Sequence, residues 1–364
     1  MRYALIGCGR IAVNHIAAAK ENGLDIVGLC DLALEKAEKL REKFLLHENQ
    51  TRVYTDYKKM LREMKPELVA VASESGKHAE IALDCIRYGS NLIIEKPIAL
   101  SLGDADEIIR LSREQGVKVC VCHQNRFNKS IQKIREGIER GKFGKLYHGV
   151  ANIRWNRDRS YYEQAPWRGT WEQDGGALMN QCIHNIDLLR WMMGDEIEEV
   201  IGVTDRLLHT YLEAEDLGIA IIRFKNGSYG IVEGTTNVFP RNLEETLYLF
   251  GEKGTVKAGG KSVNRIEEWI VAGEEEQAEQ IKERFSETPP NVYGYGHKPL
   301  YADMVEAVET NREPYVSAED GRKALELVLA IYRSSQTGKR VPMPMADCSA
   351  KEFDGMFEKS GGRP

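Results

Sequence analysis

Six residues near the start of the chain, Gly7-Cys8-Gly9-Arg10-Ile11-Ala12, restrict the architecture more than any other stretch. They fit G-x-G-x-x-[G/A], follow the apolar run Tyr3-Ala4-Leu5-Ile6 and open a segment with helical spacing. In that setting the pattern marks a strand–turn–helix unit that cradles a dinucleotide. Gly7 permits the tight turn, Gly9 leaves space for a pyrophosphate against the backbone, and Ala12 lets the helix sit close to the strand. The N–H groups of Arg10 and Ile11 then face the pyrophosphate at the positive end of the helix. A second apolar run, Ile26-Val27-Gly28-Leu29-Cys30, ends at Asp31, about 22 residues past Gly9. A carboxylate there accepts hydrogen bonds from the adenosine ribose hydroxyls and repels a 2′-phosphate. Leu32 and Ala33 offer no compensating cation, so the expected cofactor is NAD rather than NADP.

The rest of the first third continues the rhythm. Apolar runs at 3–6, 26–30, 68–72, 91–94 and 117–122 alternate with helical patterns at 11–22, 33–45, 76–87 and 103–115. That alternation predicts a parallel sheet covered on both faces, with right-handed crossovers. After about residue 125 the pattern changes: a helix near 128–141, a strand, a polar-aromatic segment at 152–173, a helix near 176–193, and successive strands from 197 to 258. Asn226-Gly227 between two apolar runs signals a hairpin. The stretch 274–290 is acidic and polar and is expected to be an exposed insertion, followed by helices near 298–311 and 317–336. The predicted fold class is α/β. A Rossmann domain spans 1–123, and an α+β domain with a large, mostly antiparallel open sheet spans 124–364, for substrate and oligomerisation. The late helices are free to pack back on the first domain.

A chain of 364 residues exceeds one ordinary core and suits two domains. The formal charge of -6 supplies no basic field, so nucleic acid is not an expected partner. No apolar run reaches the roughly 20 residues of a membrane helix, and no charged-then-apolar leader precedes the first strand. The seven cysteines are scattered, and Cys120 and Cys122 lack zinc-site spacing, so no metal and no disulfide framework are expected. The predicted setting is the reducing cytoplasm.

Two residues stand out as candidates for proton chemistry. Glu95-Lys96-Pro97 follows the strand run Asn91-Leu92-Ile93-Ile94. Ligands bind beyond the carboxyl ends of such strands, which places Lys96 on the ligand edge; otherwise it is a solvated surface lysine. Pro97 holds Lys96 extended, and the Lys96–Pro97 bond can be cis or trans. His184 lies in a helical stretch after Gly175-Gly176, with Asn180, His184 and Asp187 spaced four and three apart on one polar face. Histidine titrates near neutrality, which suits removal of an alcohol proton; a core or interface histidine is the alternative.

The Gly-Cys-Gly start, Glu95-Lys96-Pro97 and Gly175-Gly176…His184-Asn185-Ile186-Asp187 together resemble the glucose–fructose oxidoreductase/inositol dehydrogenase/rhizopine-catabolism (Gfo/Idh/MocA) family over essentially the whole chain. The resemblance implies catalytic roles for Lys96 and His184. It implies cofactor contacts from Ser73, Ser75, His78, Glu95, Lys96, Asn125, Trp167 and Arg168, and burial of the open sheet face in a homodimer or homotetramer. The family's usual Asp-x-Gly-x-His is here Asn180-Gln181-Cys182-Ile183-His184, which departs from inositol and simple polyol dehydrogenases. Gln124-Asn125-Arg126-Phe127-Asn128, Arg154-Trp155-Asn156-Arg157, Trp167-Arg168 and Met179-Asn180-Gln181 resemble the UDP-N-acetylglucosaminuronate 3-dehydrogenases of bacterial surface-polysaccharide synthesis. Some members of that subgroup recycle bound NADH with 2-oxoglutarate.

Such a substrate is anionic. Arg126, Arg154, Arg157, Arg159 and Arg168 fall in segments expected to ring the site. Arginine suits carboxylate and phosphate, although each could instead serve a surface pair or subunit interface. Arg154, Arg157, Arg168 and Asn180 are the expected substrate contacts, with the C3 hydroxyl held by Lys96 and His184. Either of those two is a candidate base. The alternatives are an inositol or aldose dehydrogenase and, in another class, a non-catalytic NAD-binding sensor.

Overall fold

The structure is a computed structural model, which describes residues 1–289 and 291–358. It divides into two compact units, Met1–His123 with His297–Arg322, and Gln124–Gly296 with Lys323–Pro364, the last residues of which lie outside the described ones.

The first unit contains strands β1 (Arg2–Ile6), β2 (Asp25–Cys30), β3 (Arg52–Tyr54), β4 (Leu68–Val71), β5 (Asn91–Ile94) and β6 (Val119–Val121). They form one sheet in the order β3-β2-β1-β4-β5-β6, every pair parallel. Each residue of β4 is buried, as a strand covered on both faces requires. The helices α1 (Ala12–Glu21), α2 (Leu34–Lys43), α3 (Tyr57–Met64), α4 (His78–Arg87) and α5 (Leu102–Gln115) supply the cover. The β3–α3 pair escaped the sequence reading. β3 has only three residues, and α3 interrupts its apolar positions with Lys58, Lys59, Arg62 and Glu63. Asp56 starts α3 by accepting from the N–H groups of Lys58 and Lys59.

The second unit opens with α6 (Lys129–Glu139) and β7 (Leu146–Arg154), then α7 (Arg159–Glu163) and α8 (Ile183–Met193). Strands β8 (Ile197–Asp205), β9 (Leu217–Phe224), β10 (Tyr229–Thr235), β11 (Glu244–Gly251), β12 (Gly254–Gly259) and β13 (Arg265–Val271) follow. Next come α9 (Ala278–Arg284), α10 (His297–Thr310), α11 (Ala318–Thr337) and β14 (Val341–Pro342), of which α10 belongs to the first unit. The eight-stranded sheet runs β13-β12-β11-β7-β10-β9-β8-β14. It is antiparallel except for the β7–β10 pair. The expected insertion is partly built into the fold: α9 packs on β13 and buries Ile281, while Pro290 lies outside the described residues.

One face of this sheet carries α8 and the turn before it. Glycines make the approach close: a Cβ on Gly218 would stand 2.4 Å from Leu178, and one on Gly234 2.6 Å from Cys182 Sγ. On the other face, nothing among the described residues covers Val203, Ile219, Ile221, Tyr229 and Ile231, exposed at alternate positions of β8, β9 and β10.

Candidate active site

The glycine turn has the geometry a dinucleotide requires. Gly7 has φ +95°, and any Cβ there would lie 2.4 Å from the Ala72 carbonyl oxygen. Gly9 faces open space at the start of α1, whereas Ala12 is fully buried against the sheet. Asp31, just past β2, accepts from Cys8 N (2.8 Å) and Ala33 N (2.9 Å), which fixes its carboxylate beside the turn. Arg10 is exposed and Ile11 half-buried at the helix entry. These residues fit NAD: Gly9 would leave room for its pyrophosphate and Asp31 would accept from its adenosine ribose.

At the end of β5, Lys96 is half-buried and the Lys96–Pro97 bond is cis, the point the sequence left open. His78 is 1% exposed, so it supports this turn from inside. Its Nδ1 lies 2.7 Å from the Pro97 carbonyl and its Nε2 3.1 Å from that of Ser73. Burial pushes its pKa down, leaving a neutral ring that donates one N–H, which we assign to the shorter contact. Ser73 is half-buried and Ser75 buried in the same loop. The Glu95 carboxylate corrects its expected place at the cofactor: it turns inward, 3.1 Å from His15 Nε2, because a buried carboxylate needs partners. Although its surroundings resist charge, the hydrogen bond with His15 and the His297 ring 3.6 Å away hold Glu95 well below the usual carboxylate range.

In the second unit, His184 is half-buried on α8, whose other residues except Trp191 are buried. Residues Leu178–Cys182 form a π-turn rather than α-helix, so Asn180 is not in α-helical step with His184, and Asp187, one turn along α8, is fully buried rather than part of a polar face. Asn180 donates its amide to Asp174, whose other oxygen accepts from Gly169 N at 2.8 Å. Asp187 is fully buried and paired with Arg126 through two bonds of 2.7 Å, with Arg190 adding a third contact at 3.0 Å. Arg126, stacked over Trp191, is therefore an internal counter-ion rather than a substrate contact.

The other arginines separate into two groups. Arg154 is neutralised on β7 by Glu233 of β10 and Glu244 of β11, its neighbours across the sheet, so its expected role in substrate binding is not supported. Arg159 makes an exposed pair with Glu163 one helical turn away. Arg157 and Arg168 differ: among the described residues neither has a carboxylate within ion-pair reach. Their guanidiniums lie 5.0 and 4.2 Å from the centre of the Tyr161 ring, and Arg168 also stacks on Trp167 at 4.6 Å. The Tyr161 hydroxyl accepts from Arg168 and from Gln181 Nε2 (3.1 Å). Arg157 is anchored by Asn156 O and Asn242 Oδ1. Nearby, Asn125 Nδ2 donates to Glu245 Oε1 at 3.2 Å. Burial pushes Glu245 up to about 8, opposed by the Arg157 charge and the Asn125 bond.

A family profile for the NAD-binding Rossmann fold of an oxidoreductase family matches residues 1–123, and the profile for its C-terminal α/β domain matches 135–343. The chain belongs to the Gfo/Idh/MocA oxidoreductase family. The WlbA dehydrogenase from Bordetella pertussis, solved in complex with NADH and UDP-GlcNAcA, is 35% identical with a TM-score of 0.87; the match covers 95% of this chain and 98% of that one. A second WlbA dehydrogenase, from Chromobacterium violaceum, solved with the same two ligands, is 31% identical with a TM-score of 0.85, covering 95% and 96%. Myo-inositol 2-dehydrogenase of Thermotoga maritima is 24% identical over 94% of this chain and 98% of its own length.

This Gfo/Idh/MocA chain thus carries a dinucleotide turn, a strand-end lysine, a helix histidine and two uncompensated arginines. Sequence reasoning missed Tyr161 and Glu245. Tyr161 lay in a segment noted only as polar and aromatic. Glu245 gave no signal, because an acidic residue at the start of a strand normally faces water.

Proposed function

We propose that this oxidoreductase uses NAD to oxidise the C3 hydroxyl of a UDP-linked N-acetylhexosaminuronate such as UDP-GlcNAcA. The observation that carries the reading is the pair Arg157 and Arg168, two cations without carboxylate partners held around Tyr161 beside Gln181. Uncompensated guanidiniums suit the carboxylate and diphosphate of such a substrate. The likeness to WlbA dehydrogenases solved with UDP-GlcNAcA supports the same class. NAD, when bound, accepts the hydride. Lys96 at its strand end and His184 on α8 are the two candidate bases for the hydroxyl proton. The seven buried cysteine thiols fit a reducing compartment, the cytoplasm. Among the described residues no helix is long and apolar enough to cross a membrane. The bare apolar sheet face we assign to a second copy of the chain, as in a homodimer or homotetramer; a monomeric mass in sedimentation would refute that assignment.

The decisive assay supplies NAD with UDP-GlcNAcA, myo-inositol or glucose, and follows NADH and product, with 2-oxoglutarate added to test re-oxidation. The expected result is turnover of UDP-GlcNAcA alone. Turnover confined to inositol or glucose refutes the nucleotide-sugar reading, and NAD binding without turnover of any alcohol favours a sensor. Arg168→Met should raise KM for UDP-GlcNAcA about 10–100-fold, the value of a charged hydrogen bond. His184→Ala should lower kcat roughly 10²–10⁴-fold while NAD still binds; unchanged turnover would remove His184 from the chemistry.

A further inference from the structure

Four potential metal ligands of the first unit converge in its interior. His15 comes from α1, Glu95 from just past β5, Cys122 from just past β6 and His297 from the first residue of α10. All four are buried, and one ligand atom from each lies within 4.8 Å of the others. His15 Nε2 is 3.1 Å and His297 Nε2 3.6 Å from Glu95 Oε1. Zinc bonds of about 2.0–2.3 Å in a tetrahedron hold ligand atoms about 3.3–3.8 Å apart, so the two Glu95–histidine contacts lie near that spacing and the widest separations, up to 4.8 Å, must close by about 1 Å on an ion.

The surroundings orient these groups as metal ligands are usually oriented. The distal nitrogen of His15, Nδ1, lies 2.7 Å from Tyr301 Oη, itself 2.8 Å from Tyr3 Oη. Such an outer hydrogen bond fixes the ring of a metal-bound imidazole. The second oxygen of Glu95 accepts from Lys96 N at 3.2 Å, leaving Oε1 directed at the histidines. His297 is 4% exposed, yet neither of its ring nitrogens has a hydrogen-bond partner among the described residues. A buried imidazole in that condition is costly unless something else takes its lone pair.

We propose that His15, Glu95, Cys122 and His297 form a closed site for zinc or a similar divalent ion. Two imidazoles, a thiolate and a carboxylate are a donor set for zinc rather than for magnesium or calcium. With four protein ligands the site has no open position, so the ion is structural and ties α10 to α1 and the strand ends of the same unit. Cys122 releases its thiol proton as the sulfur–metal bond forms, and no electron is transferred. The proposal is independent of which alcohol the enzyme oxidises. Its ligands are spread from position 15 to position 297, which is why the spacing of the cysteines gave no hint of it.

The test uses the full-length chain, stripped with a chelator and titrated with Co²⁺. One equivalent should bind, with the visible bands of tetrahedral cobalt and a thiolate-to-cobalt charge-transfer band, and Zn²⁺ should bleach both. Zn²⁺ should also raise the thermal midpoint. Cys122→Ser should abolish the charge-transfer band, and His297→Ala should weaken Co²⁺ binding at least about tenfold, as loss of a ligand predicts. Absence of a tetrahedral spectrum in the wild-type chain overturns the proposal and leaves a hydrogen-bonded network without metal. An unchanged spectrum in variants that still bind NAD overturns it equally. Should the variants not fold, the wild-type titration decides alone.

Discussion

Glu245 makes stability depend on pH in a direction opposite to that of most carboxylates. Its side chain is 4% exposed and accepts from Asn125 Nδ2, and burial pushes its pKa from 4.5 up to about 8. The folded chain therefore retains a proton that the unfolded chain releases above about pH 4.5. The stabilisation is complete below that pH, falls as pH rises, and is gone once pH passes about 8. At about 1.4 kcal/mol per pH unit the interval corresponds to at most about 5 kcal/mol. Glu215, also pushed up to about 8 by burial, acts in the same direction. Glu245→Gln keeps an acceptor for Asn125 and removes the titration, so it isolates the share of one residue. Urea unfolding of wild type and variant, without cofactor or substrate, should be compared from about pH 5 to about pH 9. The advantage of the variant should grow by up to about 5 kcal/mol as pH rises to about 8 and then level off. A difference that stays constant within about 0.5 kcal/mol across that range would show that Glu245 ionises normally in the folded chain.

Other perturbations probe the remaining supports. Gly7→Ala places a Cβ 2.4 Å from the Ala72 carbonyl at φ +95°; a loss of stability above about 2 kcal/mol and at least tenfold weaker NAD binding by calorimetry are expected. Arg126→Met removes two bonds from the buried Asp187 while Arg190 stays beside it, and denaturation should show a loss of about 3 kcal/mol, the low end for a broken internal pair because Arg190 remains. Asp31→Ala removes the carboxylate that repels a 2′-phosphate, so the preference for NAD over NADP should fall by an order of magnitude or more, read from the ratio of kcat/KM values.

The first unit was legible because its signals are local. Tyr3–Ala12 carries strand, turn and helix in consecutive residues, and the side of the sheet on which Gly7, Asp31 and Lys96 emerge follows from parallel topology alone. Strands β7 to β12 of the second unit were legible for the same reason, since alternation of apolar residues reports one buried face; β13 and the two-residue β14 escaped the reading. The parallel β7–β10 pair was not, because strand order depends on contacts between residues about 80 positions apart. The arginines show the limit most clearly. From sequence, Arg126, Arg154, Arg157, Arg159 and Arg168 were all cations expected to ring the site, with Arg154, Arg157 and Arg168 as substrate contacts. Folding gave Arg126 to Asp187, Arg154 to two strand neighbours and Arg159 to a surface glutamate, leaving Arg157 and Arg168 without such partners. The π-turn at Leu178–Cys182 likewise moved Asn180 out of step with His184, a change of one hydrogen-bond register that residue spacing does not encode. Residue type thus set which groups could bind charge or move protons. The partner each one found was set by long-range packing, because a charge leaving water must settle on whatever opposite charge the chain brings beside it.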